Sequence, residues 1–318
     1  MQSDLRAQPE AFSKLKSTKD NRDVGRPIEE LIKTNELLKG RESERLMKFC
    51  DTEYLELARD LDRYGRLLFS GELMMVRADY LGRVAVGDEF LGSMEASQLS
   101  AANDIYRMRW GSIKVPLYNL LGLFIGLRPG MRIAYLDLAR FFINDACVPV
   151  TGGDMSGTTA LSHSFSTKSG LDFEYAQMLY DAGGELNNRN RHGATVAHEI
   201  IQIFEPQNKQ AVNEAKRAFS WFLSHGGNID IADTDGYTVR QTMHNLKHML
   251  GDFLKIAESE DRRRAARSDV CCTTCGREDK KLFACGRCKK ARYCEPSGRI
   301  CQKVDWPRHK TKCKAGGR

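Results

Sequence analysis

The sequence predicts a mainly α-helical protein in which a stack of helical repeats is followed by a small finger built on two zinc ions. Two observations lead to this fold class. Three segments in the middle of the 318-residue chain align with one another, and the stretch from Cys272 to Cys313 holds seven cysteines and one histidine in four pairs. With 41% hydrophobic and 29% charged residues, the composition is that of a globular protein rather than a disordered or membrane-embedded one.

The four C-terminal pairs are spaced as metal ligands. They are Cys272-x2-Cys275, Cys285-x2-Cys288, Cys294-x6-Cys301 and His309-x3-Cys313. Zn²⁺ prefers thiolate and imidazole, and a structural site takes four such ligands in a closed tetrahedron, so eight ligands predict two zinc ions. A disulfide framework is disfavoured because no signal peptide is evident and Cys-x2-Cys is a metal signature in an intracellular chain. We therefore expect an intracellular protein, in the nucleus or the cytoplasm.

The residues between the ligands predict a short β-hairpin and a helix. Residues 282–284 and 291–293 have the pattern of two short strands, bent around Gly286-Arg287. The run QKVDWPRHKTKC after Cys301 predicts a helix, in which His309 and Cys313, four residues apart, would share one face. A domain this small buries too little apolar surface to fold alone, so metal binding must supply its folding free energy.

The string CTTCG…LFACGRCKKARYC…CQKVDWPRHKTKC resembles the MYND zinc finger, from Cys272 to Cys313. In that family the ligand pairs interleave as a cross-brace. The resemblance therefore implies one ion bound by Cys272, Cys275, Cys294 and Cys301, and a second bound by Cys285, Cys288, His309 and Cys313.

The third ligand pair departs from the family pattern. The family has Cys-x3-Cys, whereas Cys294-x6-Cys301 is three residues longer and Gly298 stands where the second cysteine is expected. Seven residues of straight helix would separate the two sulfurs by roughly 10 Å, too far for one ion with Zn–S bonds of about 2.3 Å. We therefore expect Cys294 to precede the helix, with a turn at 296–298. Cys271 is an alternative ligand for this first site.

MYND fingers dock short proline-containing peptides against a strand edge and the helix. The resemblance places Gln302 and Trp306 on that surface. For Trp306, a core position bridging the two zinc sites is an equally good interpretation, whereas Gln302 is expected to be exposed. Because strand-edge docking takes its affinity from backbone hydrogen bonds and its specificity from side-chain pockets, the peptide sequence is not predicted.

The middle of the chain contains a repeat. Each copy has an apolar helical segment, then Asp/Asn-x-x-Gly, then Thr and an apolar pair, and the equivalent glycines are Gly157, Gly193 and Gly236. Glycine supplies the positive φ that such a turn requires, and the threonine can cap the following helix. The pattern resembles the ankyrin repeat. Residues 114–121 look like one further, poorer copy, and a polar insert at 205–216 accounts for the longer second spacing.

These features divide the chain into regions. We expect a disordered N-terminus at 1–25, a helical region at 26–109 that is either a set of divergent repeats or a cap, and ankyrin-like repeats at 110–256. A charged helical linker at 257–270, the finger at 271–314 and a tail at 315–318 follow. Cys50 and Cys147 lie in apolar contexts and are expected to be buried.

The predicted function is that of an interaction adaptor, not an enzyme. The finger would dock proline-containing peptides and the stack another protein, in transcriptional or chromatin regulation. From Arg262 onward the chain has 18 Lys/Arg and 5 Asp/Glu, so nucleic-acid binding by this basic region is an alternative. A less favoured alternative is an active site in the N-terminal helices. His198-Glu199 begins like the H-E-x-x-H protease motif, but Gln202 stands at the second ligand position, and a histidine here is expected to bond the turn backbone.

Overall fold

The computed structural model describes residues 25–166, 171–203, 205–278, 281–294, 298–311 and 313–314. Within these residues helices extend to Ala266, and a finger with a two-stranded sheet follows. The predicted fold class is therefore confirmed. Disorder is predicted for residues 1–25 and a tail for 315–318; of these, residues 1–24 and 315–318 lie outside the described residues.

Long helices dominate the described part of the chain. The α-helices are α1 Ile28–Leu31, α2 Gly40–Glu56, α3 Arg63–Ser70, α4 Leu73–Leu91, α5 Met94–Arg107, α6 Leu117–Leu127, α7 Arg132–Arg140, α8 Ala160–His163, α9 Phe173–Asp181, α10 Val196–Ile201, α11 Lys209–Ser224, α12 Val239–Asn245, α13 Lys247–Ala266 and α14 Gly298–His309. Short 3-10 turns lie at Leu57–Arg59 and Pro129–Met131, and a π-helical turn at Phe141–Asp145. Strands β1 Leu282–Ala284 and β2 Arg292–Cys294 pair antiparallel, with Phe283 opposite Tyr293.

Each repeat is organised by one Asp or Asn side chain at its turn. The Oδ1 atoms of Asp154, Asn190 and Asp233 each accept the backbone N–H groups of the residues two and four positions later. The glycine three positions after each of them has φ between +72° and +92°, which only glycine adopts at low cost. The predicted alignment of the three segments is therefore confirmed by identical turn geometry.

Threonines begin the first helix of each repeat. Thr159, Thr195 and Thr238 are the N-caps of α8, α10 and α12, as predicted. The Nδ1 atom of His198 accepts the backbone N–H of Thr195 at 3.1 Å. This bond gives His198 the structural role expected from the sequence.

Neighbouring turns are joined by backbone hydrogen bonds. Met155 donates to the carbonyl of Ile113 at 2.8 Å, and Arg191 donates to Ser156 at 2.7 Å. The unit that contains α6 and α7 therefore joins the same stack upstream of the three repeats. A turn followed by a helix pair, stacked on its neighbours, is the arrangement of ankyrin repeats. The polar insert forms the loop before α11 and lengthens that helix to 16 residues, against 9 in α9.

The segment from α1 to α2 lies across the turns of the stack. The backbone N–H of Leu38 donates to the carbonyl of Arg191 at 2.8 Å, and the Arg191 guanidinium donates to the carbonyl of Leu31 at 2.8 Å. Further along, Gly40 donates to Asp235 at 3.1 Å. One hydrophobic cluster extends from Leu31 to Ala257, so the N-terminal helices and the repeats share a core.

The two cysteines outside the finger differ in burial. Cys50 is buried, as predicted. Cys147 is exposed and has a φ of +53°, so the prediction that it is buried is wrong. Its apolar neighbours Val148 and Val150 point into the core, but the chain turns at Cys147 itself, and its side chain faces outward. Among the described residues, the helices are too short or too polar to cross a membrane.

Candidate metal centre

The finger takes its candidate ligands from several loops, one strand and a helix. Cys272 and Cys275 lie in the loop that follows α13, Cys294 ends β2, and Cys301 is in the first turn of α14. The expectation that Cys294 precedes the helix is therefore confirmed. The six residues between Cys294 and Cys301 do not keep their two sulfurs apart.

The first group brings four sulfurs to the spacing of a zinc tetrahedron. The Sγ atoms of Cys272, Cys275, Cys294 and Cys301 all lie within 4.8 Å of one another. The Cys275–Cys294 distance is 3.6 Å and the Cys294–Cys301 distance is 3.8 Å. Four sulfurs at about 2.3 Å from a tetrahedral ion lie about 3.8 Å apart. The group therefore fits one zinc ion.

The second group contains three sulfurs and one imidazole nitrogen. Cys285, Cys288, His309 and Cys313 also place one ligand atom each within 4.8 Å of the others. The Sγ atoms of Cys285 and Cys313 are 3.9 Å apart, and the Sγ of Cys288 is 3.5 Å from Nε2 of His309. This group fits a second zinc ion, so the two groups interleave along the chain as the resemblance implies.

One local prediction about the helix is wrong. α14 ends at His309, and Cys313 lies beyond it, so the two residues do not share a helix face. Cys313 reaches the second group from the segment after the helix. The helix also begins earlier than predicted, at Gly298, which lets Cys301 sit in its first turn.

Hydrogen bonds around the ligands fix the loops that carry them. The Gly276 N–H donates to the Cys272 carbonyl at 2.8 Å, and the Lys289 N–H donates to the Cys285 carbonyl at 3.0 Å, so both Cys-x2-Cys loops are closed turns. The Tyr293 hydroxyl donates to the buried Asp305 carboxylate at 2.8 Å and fastens α14 to β2. The sequence did not predict this role of Asp305, because an acidic residue among lysines and arginines is the only feature that marks it there.

The thiol chemistry favours a cation at both groups. The backbone N–H groups of Cys288 and Arg287 are the main cause that lowers the pKa of Cys285 to about 6. In the first group, the neighbouring sulfurs of Cys272, Cys275 and Cys294 raise the pKa of Cys301, because the thiols cannot all ionise beside one another without a counter-charge. A bound Zn²⁺ supplies that charge and keeps coordinating thiols ionised.

The remaining predicted residues have distinct positions. Trp306 is 41% exposed, and Gln302 is partly buried rather than exposed. Cys271 is fully buried and belongs to neither ligand group; its Sγ lies 3.6 Å from the carbonyl of Arg264. The alternative that Cys271 replaces a ligand therefore finds no support in this geometry.

The finger is fastened to the last repeats through two arginines whose contacts the sequence did not predict. Arg264 donates to the Thr274 carbonyl in the first ligand loop at 2.7 Å and to the Leu223 carbonyl at the end of α11 at 3.0 Å. Arg277 donates to the Tyr180 hydroxyl of α9 at 2.8 Å and lies over its ring. The charged segment at 257–270 is thus largely a continuation of α13, and it contacts both the end of α11 and the first ligand loop.

Comparison with known proteins supports this description of the finger. The family model for the MYND finger matches residues 272–313. The chain is similar to N-lysine methyltransferase SMYD2-B of Danio rerio, with 48% identity over 44 residues, 14% of this chain and 9% of that protein. It is equally similar to histone-lysine N-methyltransferase SMYD1 of Homo sapiens, over 14% of this chain and 8% of that protein. These matches cover the finger alone, so they do not show a methyltransferase domain in this chain.

Two solved structures that are similar to part of this chain are ankyrin repeat proteins. One is an ankyrin repeat domain from Acinetobacter baumannii AYE, with 15% identity, a TM-score of 0.40, and coverage of 62% of this chain and 96% of that one. Another is the ankyrin repeat protein EF0377, with 12% identity, a TM-score of 0.28, and coverage of 51% and 96%. The description of the stack as ankyrin-like rests on its own turn and capping geometry. The chain thus carries a MYND finger with two zinc-binding groups behind an ankyrin-like stack.

Proposed function

We propose that the protein is an intracellular adaptor in transcriptional or chromatin regulation. Its eight cysteine and histidine ligands hold two zinc ions, its finger docks proline-containing peptides through Gln302 and Trp306, and its stack binds another protein. It has no catalytic role of its own. The single observation that carries the docking proposal is the exposure of Trp306 next to the buried Asp305.

The partial exposure of Trp306 supports the docking interpretation of this residue over a core position. Asp305 anchors α14 to the hairpin through Tyr293, and Trp306 follows it on the outer side of the helix. An indole that bridged the two zinc groups would be buried. Large aromatic side chains such as that of Trp306, which is 41% exposed, are the residues that most often dominate binding energies.

Within the described residues, the outer edge of β1 is the edge of the hairpin that is left for strand addition. The outer edge of β2 is engaged, because the Thr273 N–H donates to the Arg292 carbonyl at 2.7 Å and the Arg292 N–H donates to Thr273 Oγ1 at 3.0 Å. A peptide that adds a strand would therefore pair with β1, where Phe283 is exposed. Backbone pairing at this edge and contact with Trp306 together form the proposed peptide site.

The test is peptide binding by the full-length, zinc-loaded protein. Trp306→Ala should weaken binding of a selected proline-containing peptide by about thirtyfold, the effect of losing about 2 kcal/mol at a central aromatic contact. Gln302→Ala should weaken it less. Val270→Ala is the matched control, because Val270 is similarly exposed just before the finger. Equal affinities of the Trp306 and Val270 variants would rule out the docking site.

Nucleic-acid binding by the basic region is the alternative, and local ion pairs weigh against it. Arg263 and Arg267 both pair with Glu278, and Arg263 and Arg264 pair with Glu260. Part of the positive charge counted in the sequence is therefore neutralised within the fold. Binding to duplex DNA or RNA whose affinity falls steeply with salt would support this alternative.

A further inference from the structure

The helix α4 is apolar on both of its sides. Its inner side packs Leu73, Val76, Tyr80 and Val84 into the hydrophobic core. A surface helix of a globular protein normally carries polar residues on the opposite side. In α4 that side is apolar as well apart from Glu89, so the helix resembles one that is covered on both sides.

The outward side of α4 forms a continuous apolar face. Its large side chains are Met74, Met75, Leu81, Val86 and Phe90, and Ala78, Gly82 and Ala85 lie between them. We call this set the α4 face. Phe90 is 83% and Met74 is 76% exposed. At roughly 100–150 Å² for each of the five large side chains, the face offers about 600 Å², the lower end of what each partner buries in a standard protein interface.

The α4 face has the shape of a surface that fits itself. Gly82 lies at its centre, and a Cβ added there would meet no atom within 4 Å. Small residues flank Gly82 on either side, and the large side chains Met74 and Phe90 lie eight residues away from it in opposite directions. A face that is low in the middle and high at both ends is complementary to its own copy turned through 180°.

We propose that the α4 face is a homodimer interface in which two copies of α4 pack antiparallel with their Gly82 residues at the two-fold axis. Met74 of each copy then packs against Phe90 of the other, and the helix backbones approach closely at Gly82. This proposal is independent of the zinc sites and of peptide docking.

The distribution of charge favours a second copy of the chain as the partner and an antiparallel arrangement of the two α4 helices. Glu89 is the one charged residue in line with Met75 and Gly82 on the outward side, and Asp79 and Arg83 at its border pair with each other at 2.7 Å. In the antiparallel arrangement the two Glu89 side chains lie about 21 Å apart along the axis, at a rise of about 1.5 Å per residue. In a parallel pair they would face each other. The chain's own first 24 residues are a poor alternative occupant, because nine of them are charged.

Sedimentation equilibrium of the full-length, zinc-loaded protein over a dilution series tests the proposal. The expected species is twice the chain mass of 35.9 kDa. Two variants address the face by different means. Phe90→Glu places a charge at its end, and Gly82→Leu fills its centre while removing a helix-weakening glycine. Leu55→Glu is the matched control, since Leu55 is 84% exposed on α2, outside the α4 face.

The outcomes separate an interface from a folding defect. We expect each α4 variant to weaken dimerisation at least about thirtyfold, as for a central interface contact, and the Leu55 variant to dimerise like the parent. Gly82→Leu should keep or raise the thermal stability of the monomer, so its loss of dimer cannot come from unfolding. A parent protein that remains monomeric at the highest concentration, or a dimer that persists in both α4 variants, would overturn the proposal.

Discussion

Replacing Arg264 by alanine should loosen the junction between the finger and the last repeats. The guanidinium donates to the carbonyls of Leu223 and Gly227 in the stack and of Thr274 in the finger, and it pairs with Glu260 at 2.8 Å. The Arg264 side chain is only 10% exposed and that of Glu260 12%. Three carbonyls and one carboxylate would therefore lose a shared donor that water cannot easily replace.

The expected cost follows from this burial. Removing one partner of a buried ion pair costs about 3–5 kcal/mol. Because Arg263 also donates to Glu260, at 2.7 and 2.8 Å, the carboxylate keeps one partner and the lower end applies. We expect Arg264→Ala to lower the free energy of unfolding by about 3 kcal/mol, which corresponds to a fall in Tm of about 6–12 °C at about 2–4 °C per kcal/mol.

Denaturant unfolding of the zinc-loaded protein measures this cost, and amide exchange locates it. Arg262→Ala is the control, since Arg262 is exposed two positions away on the same helix. Arg264→Lys should recover only part of the loss, because a lysine has a single charged head where the guanidinium serves four acceptors. If the Arg264 and Arg262 variants unfold at the same denaturant concentration, or if exchange at residues 223–227 and 274 is unchanged, the reasoning about this junction is refuted.

Three further predictions follow from the turns and the metal groups. Elemental analysis should find two zinc ions per chain, and chelation should remove amide protection from the β-hairpin; a value near one would show that only one group binds metal. Burial works to lower the pKa of His163, but its hydrogen bond and ion pair with Asp154 prevail and raise that pKa. Because the folded-state pKa is raised, this stabilisation is complete below about pH 6.5 and is lost as the pH rises through the folded-state pKa. His163→Gln should therefore flatten the decline of the free energy of unfolding from neutral to alkaline pH. An unchanged slope would contradict this prediction. Gly193→Ala should lower the free energy of unfolding more than Gly236→Ala. Both glycines have positive φ, but an added Cβ at Gly193 would lie 2.5 Å from the Thr234 nitrogen, whereas Gly236 faces open space. Equal losses of free energy in denaturant unfolding would contradict this.

The parts of the fold that the sequence predicted are those fixed by local chemistry. The turn glycines Gly157, Gly193 and Gly236 require a positive φ, and the Asp or Asn three residues earlier bonds the same two amides in each repeat. Both requirements restrict the residue type at a fixed spacing, so they are visible as a repeat. The cysteine pairs are visible for the same reason, because few residue types can bind zinc.

The parts that the sequence did not predict depend on contacts between distant segments. Arg264 is one of several arginines in a charged run, and only the fold shows that its guanidinium is nearly buried between α11 and the first ligand loop. Cys313 was expected on the helix because four-residue spacing suits one, but its position is set by closing the second ligand group and not by helical periodicity. Cys147 has apolar neighbours on both sides, yet the turn there exposes it.

The position of Arg264 connects metal binding to the stability of the stack. Its Thr274 acceptor lies between Cys272 and Cys275, so the carbonyl is held in place only when that loop is closed around its ligand group. At the other end the same guanidinium donates to the Leu223 carbonyl in the last turn of α11 and to the Gly227 carbonyl just after it. If zinc binding orders the loop and so strengthens this contact, the contact must strengthen zinc binding by the same free energy. The coupling through Arg264 cannot exceed the energy of its own contacts, about 3 kcal/mol by the argument above. Loss of zinc should therefore loosen the end of the stack nearest the finger, and leave the distant turns around Asp154 unchanged.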